Sequence, residues 1–216
     1  SSRSSSSNDS RTSARNEAGY GRLTSSQSRE IRRLGADPVE RLPIPILIGV
    51  RMADLSRNFG DARGGGTREH EGLDIMAPRG AYVVSPTDAV VTGVGSGSNS
   101  GNYVYTANPG GERFAYMHLD SIEVRRGDVL KPGDLIGTVG NTGNASGGAP
   151  HLHFEIRDGR RATDPFPRLT REFTTVERGE AIAKMIESAG SNDAEDLIAR
   201  HRTLLVAARA AGGRVS

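Results

Sequence analysis

Short runs of β-forming residues, each closed by glycine, asparagine, serine or proline, repeat through residues 44–167 of this 216-residue chain. Runs of this length and spacing, with no helical period between them, indicate an all-β sandwich or barrel. We therefore predict a mainly β fold, an antiparallel β-sandwich or barrel of the barrel-sandwich hybrid type. The predicted strands cover 81–84, 89–94, 102–106, 113–118, 135–139 and 151–157.

Two connections in this β region are unusually rich in glycine and serine. They cover residues 93–101 and 141–150. Long polar loops on a β scaffold are where binding groups usually lie. We expect both segments to be loops that border a functional site.

The two ends of the chain differ in composition from the β region. The first residues are rich in serine and arginine and poor in large apolar side chains, which predicts a disordered leader or linker, with a short helix over 28–34. Beyond the β region, apolar spacing and capping residues predict helices over 175–187 and 192–211. The predicted organisation is a leader at 1–42, a β domain at 43–167 and a helical C-terminal extension at 168–216.

Composition excludes several kinds of site. The chain has no cysteine, so disulfides, thiolate metal ligands and a cysteine nucleophile are excluded, and a transition-metal site must use histidine and carboxylate. The net charge is only +2 and the arginines are scattered, so we expect no nucleic-acid binding. The chain begins at Ser1, and we expect membrane contact only through an N-terminal segment that was removed. The sequence predicts no oligomeric state.

Two histidines share one face of the last predicted strand. His151 and His153 are two residues apart, so their imidazoles point the same way, while Leu152 and Phe154 point toward the core. Packing alone does not explain two histidines on one face beside a glycine-rich loop. The pair indicates a metal or catalytic site.

A second imidazole and its neighbouring carboxylates lie in the segment His70-Glu71-Gly72-Leu73-Asp74. Spacing alone leaves Glu71 and Asp74 as rival ligands. Two histidines, one carboxylate and a water form the usual composition of a hydrolytic zinc centre. His118, at the end of a predicted strand, is either a structural residue or an acid/base or oxyanion group that faces the metal. His201, between two arginines of the last predicted helix, fits a surface residue.

In their order along the chain, these motifs resemble the lysostaphin-type (LytM-like) zinc metalloendopeptidases, which cut peptide bonds in bacterial peptidoglycan. The resemblance extends over residues 43–167, well beyond the histidines. The motifs that carry it are Asn58-Phe59-Gly60, His70-Glu71-Gly72-Leu73-Asp74, Tyr116-Met117-His118-Leu119, Ile136-Gly137 with Thr142-Gly143, and His151-Leu152-His153-Phe154-Glu155.

The resemblance implies a role for each position. His70, Asp74 and His153 become the ligands of one Zn²⁺ per chain, which selects Asp74 over Glu71. His151 becomes the general base that deprotonates the attacking water, and His118 stabilises the oxyanion or shares the proton transfer. The implied enzyme is an extracytoplasmic endopeptidase, in the periplasm or cell envelope, that acts on peptidoglycan stem peptides. Our default substrate is the D-alanyl–diaminopimelate bridge.

Two other classes of protein compete with this interpretation. Some members of the family lose their ligands and only bind the wall or activate other hydrolases. Here all five positions are intact, which favours an active enzyme. Glycines at 127, 133 and 137 also suggest a lipoyl or biotinyl carrier, but Lys131, in a Lys-Pro-Gly turn, lacks the flanking signature of a carrier lysine.

Overall fold

A computed structural model describes residues 24–188 and, beyond them, residues 199, 202, 203 and 206. Within these residues the regular structure is mainly β, as the sequence predicts. The helices are α1 (Ser25–Arg32) and α2 (Thr175–Ser188), and the strands are β1 (Leu42–Pro43), β2 (Ala62–Arg63), β3 (Arg68–Glu69), β4 (Leu73–Met76), β5 (Tyr82–Val84), β6 (Ala89–Gly97), β7 (Gly101–Ala107), β8 (Arg113–Ile122), β9 (Val129–Leu130), β10 (Leu135–Val139), β11 (His151–Asp158), β12 (Arg161–Thr163) and β13 (Leu169–Arg171).

One large antiparallel sheet holds nine of these strands. Its main path runs β12-β11-β8-β7-β6-β9, while β4 pairs with β11 and β10 pairs with both β5 and β8. β8 changes partners along its length, from β11 before His118 to β10 after it. Among the described strands this path does not return on itself, so the sheet is open rather than a closed barrel. β1 and β13 form a separate parallel pair that joins the two ends of the β region.

The alternation along β11 separates the core from the site. Leu152, Phe154 and Ile156 are completely buried, and the Phe154 ring packs edge-on against Phe114 with centroids 5.4 Å apart. Burial of each such side chain stabilises the fold by about 1.5–3 kcal/mol. The intervening residues point to the opposite face, where the histidines lie. The sequence prediction for this strand is confirmed.

The predicted loop at 93–101 is wrong for most of its length. β6 continues to Gly97 and β7 begins at Gly101, which leaves only residues 98–100 as a turn. The glycines serve packing instead, because a Cβ on Gly95 would lie 2.6 Å from the Tyr103 hydroxyl oxygen. The strand therefore uses glycine to make room for a tyrosine on the neighbouring strand.

Both described helices lie close to their predicted positions. α1 begins at Ser25, three residues before the prediction, because Thr24 accepts from the backbone N–H of Gln27 and completes a capping box. α2 packs on the core through Ala181 and Met185. In the part of the chain that the structure describes, no helix combines the length and apolar character that a membrane crossing needs.

Several predictions fall on residues that the structure does not describe. These are the leader before residue 24, His201 and most of the second C-terminal helix, of which residues 199, 202, 203 and 206 are described and helical. The division of the chain at residues 42/43 and 167/168 stays a prediction.

Candidate metal centre

Three side-chain atoms converge at one point on the polar face of the sheet. His70 Nε2 lies 2.9 Å from Asp74 Oδ1 and 3.0 Å from His153 Nδ1, and the remaining edge of this triangle is 2.8 Å. Within the described residues, this is the group of three His, Asp or Glu side chains whose ligand atoms could hold one metal ion.

Strand register brings these residues together. Asp74 on β4 and His153 on β11 are directly opposite in the antiparallel pair, so both side chains point to the same face. His70 precedes β4 by a short turn that holds Gly72. A Cβ on Gly72 would lie 2.6 Å from His153 Nε2 and 2.7 Å from the Phe154 carbonyl oxygen. Only glycine allows the turn to pass this close to His153.

Asn58 orients His70 and Asp74, the two candidate ligands in and just before β4, from the side away from the cluster. Its backbone carbonyl accepts from His70 Nδ1 at 2.5 Å, which leaves Nε2 as the nitrogen that faces the cluster. Its side chain accepts from the Asp74 backbone N–H at 3.0 Å and donates to the Asp74 carbonyl at 3.2 Å. One residue therefore orients both His70 and Asp74.

His153 is oriented by a carboxylate. Its Nε2 donates to Glu155 Oε1 at 3.1 Å, so Nδ1 is directed toward the cluster. Burial alone would lower the pKa of His153, but the hydrogen bonds to Asp74 and Glu155 raise it to about 9. A carboxylate behind a ligating imidazole is a common support in metal sites, because it fixes the ring and increases its basicity.

Asp74 is held in its ionised form. Burial alone would raise the pKa of this carboxyl group, but hydrogen bonds from His153 and His70 hold it well below its usual range. Its second oxygen accepts from Arg63 Nη2 at 2.7 Å. Glu71, the rival ligand in the sequence, is mostly exposed and pairs with Arg157 instead.

The remaining two histidines of the β region lie beside this cluster. His151 Nδ1 donates to the Ala149 carbonyl at 3.0 Å, and its Nε2 lies 3.9 Å from Asp74 Oδ1. His118 Nδ1 donates to the Thr142 carbonyl at 2.9 Å, and its ring centroid is 5.0 Å from that of His151. In the neutral form of each ring, Nε2 is then the nitrogen without a proton, and both residues line the cleft. Burial and the neighbouring His151 lower the pKa of His118 to about 4, so it is neutral at pH 7.

The sequence predicts that His118 ends its strand, but in the structure the strand continues beyond it. β8 continues to Ile122, and His118 adopts a φ of 63°, the one left-handed conformation at a non-glycine among the described residues. Such a conformation costs about 1–2 kcal/mol. The His118 backbone N–H donates to the Ser100 carbonyl at 2.9 Å, which holds the residue there. Strained residues of this kind often lie at functional sites.

The backbone of the loop over 141–150 packs closely against the backbone at the start of β7. The Thr142 hydroxyl donates to the Leu119 carbonyl and accepts from the Asn102 backbone N–H, both at 2.9 Å. A Cβ on Gly101 or on Gly143 would lie 2.2 Å from atoms of the other segment, and both glycines have positive φ. The loop is thereby held against the start of β7, next to His118.

These residues surround an open cleft of about 800 Å³. The β2–β3 hairpin contributes Arg63 and Arg68 to one wall, and residues 99, 100, 144 and 145 contribute to another. His70, Asp74, His118, His151 and His153 all line the cleft. The structure thus brings together every site residue that the sequence predicts.

Sequence reasoning missed the residues that support the site. Glu155 shares a strand face with His151 and His153. The two-residue spacing along the strand could therefore have predicted that Glu155 lies beside them. Asn58 and Thr142 lie in motifs that carry the resemblance, but the sequence gives no sign that they contact the site residues. Arg157 follows Glu155 by two residues on the same strand.

Comparisons with known proteins agree with this geometry. Residues 68–165 match the model of peptidase family M23. The chain is 34% identical over 139 residues to the DD-carboxypeptidase/endopeptidase Mpg of Neisseria meningitidis, which covers 64% of this chain and 31% of that protein. It is 36% identical over 106 residues to the peptidoglycan DD-endopeptidase ShyC of Vibrio cholerae, which covers 47% of this chain and 24% of that protein. The chain thus spans less than a third of the length of these curated relatives.

A solved structure shows the same fold. A crystal structure from Pseudomonas aeruginosa, described as a peptidase M23, superposes with a TM-score of 0.54 and 24% identity, and the match covers 77% of this chain and 64% of that one. The resemblance that the sequence motifs suggested is confirmed. The convergent histidines and Asp74 thus lie in a segment, residues 68–165, that matches peptidase family M23.

Proposed function

We propose that this chain is a zinc-dependent endopeptidase that hydrolyses peptide cross-links of bacterial peptidoglycan, with the domain at 43–167 carrying the activity. The observation that carries the proposal is the triangle of His70 Nε2, Asp74 Oδ1 and His153 Nδ1. The imidazoles of His118 and His151 lie beside this triangle. We propose one zinc ion per chain and the D-alanyl–diaminopimelate bridge as the bond that is cut.

The donor set fits zinc. Two imidazole nitrogens and one carboxylate oxygen are a usual set for a hydrolytic centre that keeps one position open. Ligand atoms of a tetrahedral site with bonds of about 2.0–2.1 Å lie roughly 3.3 Å apart, close to the 2.8–3.0 Å triangle seen here. When bound, zinc would lower the pKa of water to about 7 and polarise a carbonyl group.

In this proposal His151 is the general base. Its Nδ1 proton is committed to the Ala149 carbonyl, so Nε2 carries the lone pair and faces the ligand cluster. A neutral imidazole in this position accepts a proton from the attacking water and returns it to the departing amine.

His118 is the second proton-transfer group. Its Nδ1 proton is committed to the Thr142 carbonyl, so the nitrogen that faces the cleft accepts rather than donates a hydrogen bond. A neutral His118 therefore fits proton transfer with His151 better than it fits donation to an oxyanion. It becomes an oxyanion donor only after it has taken up a proton.

Several features support a peptidoglycan substrate. The relatives described above bear the names of DD-carboxypeptidases and peptidoglycan endopeptidases. The cleft is open, has a volume of about 800 Å³, and is lined by both arginine and carboxylate side chains. Action on this polymer places the protein outside the cytoplasm, in the periplasm or cell envelope.

The test is digestion of purified peptidoglycan by the zinc-loaded chain, with mass spectrometry of the soluble products. We expect release of fragments cut at the D-alanyl–diaminopimelate bond, loss of release with a chelator, and recovery with added zinc. His151→Ala should bind zinc and release almost nothing. Muropeptides of defined cross-link type, incubated separately, identify the bond.

The competing function is a non-hydrolytic wall-binding module or an activator of other hydrolases. Wild-type protein that holds zinc and binds peptidoglycan but releases no fragments would support it over the enzyme. Full activity of His151→Ala would instead leave the enzyme in place and overturn the role of His151.

A further inference from the structure

A continuous series of ionic contacts extends from His153 through three further residues that line the cleft. Glu155 Oε1 accepts from His153 Nε2 at 3.1 Å, and Glu155 Oε2 accepts from Arg157 Nε at 2.6 Å. Arg157 Nη2 then donates to Glu71 Oε2 at 2.5 Å. We refer to Glu155, Arg157 and Glu71 as the brace.

The brace is saturated with partners. Glu155 is buried and uses both carboxylate oxygens, and Arg157 also donates from Nη1 to the Arg160 carbonyl at 3.0 Å. All three guanidinium nitrogens are thus engaged. Because the groups alternate in charge, burial of the Glu155 carboxylate is compensated on both sides. The geometry leaves Glu155 Oε1 little freedom to move away from His153.

The brace also joins two segments that carry candidate ligands. Glu71 follows His70 directly in the chain, and Arg157 lies four residues beyond His153 on β11. The Arg157–Glu71 contact spans 86 residues of sequence and ties the His70 turn to β11. A shift of either segment would therefore strain the same set of contacts.

We infer that the brace is a positioning device that sets the metal affinity of the site: Glu155, held by Arg157 and Glu71, fixes the His153 ring so that Nδ1 meets His70 Nε2 and Asp74 Oδ1. The inference rests on the proposed function, since it assumes that these atoms bind zinc. None of the three brace residues contributes an atom to the ligand triangle, although all three line the cleft. The brace therefore acts on metal affinity through the position of His153.

The test is the zinc dissociation constant of the full chain, measured by competition with a chromophoric chelator. Glu155→Ala removes the carboxylate behind His153 and should weaken zinc binding by about 10- to 100-fold. Glu155→Gln keeps an oxygen acceptor and should retain part of that affinity. Arg157→Lys cannot reach Glu155, Glu71 and the Arg160 carbonyl together, and should weaken zinc binding by about tenfold, the low end of the range for supporting groups.

Glu69→Gln is the matched control. Glu69 is exposed on the cleft wall, so the variant removes the same charge near the site without touching the brace. It should bind zinc as the wild type does. Cobalt-substituted protein adds a second readout, because its visible absorption reports ligand geometry: Glu155→Gln should shift the bands and Glu69→Gln should leave them in place.

The outcomes separate this inference from the proposed function. A wild-type chain that does not bind zinc overturns both. If the wild type binds zinc and Glu155→Ala, Glu155→Gln and Arg157→Lys bind it equally well, the brace is only structural and the inference is wrong, while the proposed function stands. Circular dichroism shows whether Glu155→Ala folds. If it does not, the zinc dissociation constants of Glu155→Gln and Arg157→Lys are compared with that of Glu69→Gln: weaker binding by the first two supports the inference, and equal binding overturns it.

Discussion

The cleft has two sides that hold their histidines by different means. On the ligand side, His70 and His153 are fixed by Asn58 and Glu155, which lie behind β4 and on β11. On the loop side, His118 and His151 both donate to carbonyls of one loop, 141–150. The ligand side thus depends on strand register and a buried carboxylate, whereas the loop side depends on the position of a single segment.

Under the proposed function, this difference gives metal binding and proton transfer separate supports. Changes on the ligand side should alter zinc affinity, because they move ligand atoms. Changes on the loop side should alter turnover with zinc retained, because they move only the imidazoles that exchange protons. Each prediction below tests whether this separation holds.

The largest effect should come from removal of a ligand. His153→Ala deletes one corner of the triangle and leaves Asp74 and Glu155 without their shared partner. We expect zinc affinity to fall by about 1000-fold or more. Cleavage of peptidoglycan should become undetectable, which corresponds to a loss of at least about 4 kcal/mol of transition-state stabilisation. Zinc content after dialysis and fragment release measure the two losses. Retention of one zinc per chain would remove His153 from the ligand set.

His151→Ala should have the next largest effect, on the loop side. Removal of a general base typically costs about 10²- to 10⁴-fold in rate. We expect kcat to fall within that range while the zinc dissociation constant stays within about threefold of the wild type. A parallel loss of zinc would show that the two sides are not separate.

Thr142→Val should have a smaller effect of the same kind. It removes the hydroxyl that joins the loop to Leu119 and Asn102, which destabilises the fold by roughly 1–3 kcal/mol and lets His118 shift. We expect kcat to fall about tenfold with zinc affinity unchanged. Thr142→Ser keeps the hydroxyl and should remain close to the wild type. Equal losses in the two variants would indicate that the methyl group, and not the hydroxyl, matters.

Asn58→Ala should have the smallest effect, on the ligand side. The variant keeps the backbone carbonyl that accepts from His70 but loses two hydrogen bonds to the Asp74 backbone. At about 0.5 kcal/mol each, their loss should weaken zinc binding by about fivefold. At saturating zinc, kcat should match the wild type. A reduced kcat at full zinc occupancy would contradict this expectation.

The ligand side was readable from sequence because strand geometry is periodic. Alternation along β11 places His151 and His153 on one face and Leu152 and Phe154 in the core, as predicted. The choice of Asp74 over Glu71 comes from the family resemblance, and in the structure it is Asp74 that lies opposite His153 in the sheet. Burial and pairing of this kind follow from local pattern.

The supports of the site were not readable, because they depend on contacts between distant segments. The Arg157–Glu71 pair spans 86 residues, and the Thr142–Asn102 hydrogen bond spans 40. The positive φ of His118 accompanies a hydrogen bond from its backbone N–H to the Ser100 carbonyl, a contact that no local pattern marks. Gly95 looks like part of a loop in sequence, yet it accommodates Tyr103 inside a strand.

The most direct test of this account is anomalous scattering at the zinc edge from crystals of the purified wild-type chain. We predict one strong peak among His70 Nε2, Asp74 Oδ1 and His153 Nδ1, with His118 and His151 outside bonding distance. A peak coordinated by His118 or His151, or one that lies away from the triangle, would contradict the separation of ligand and proton-transfer groups on which the account depends.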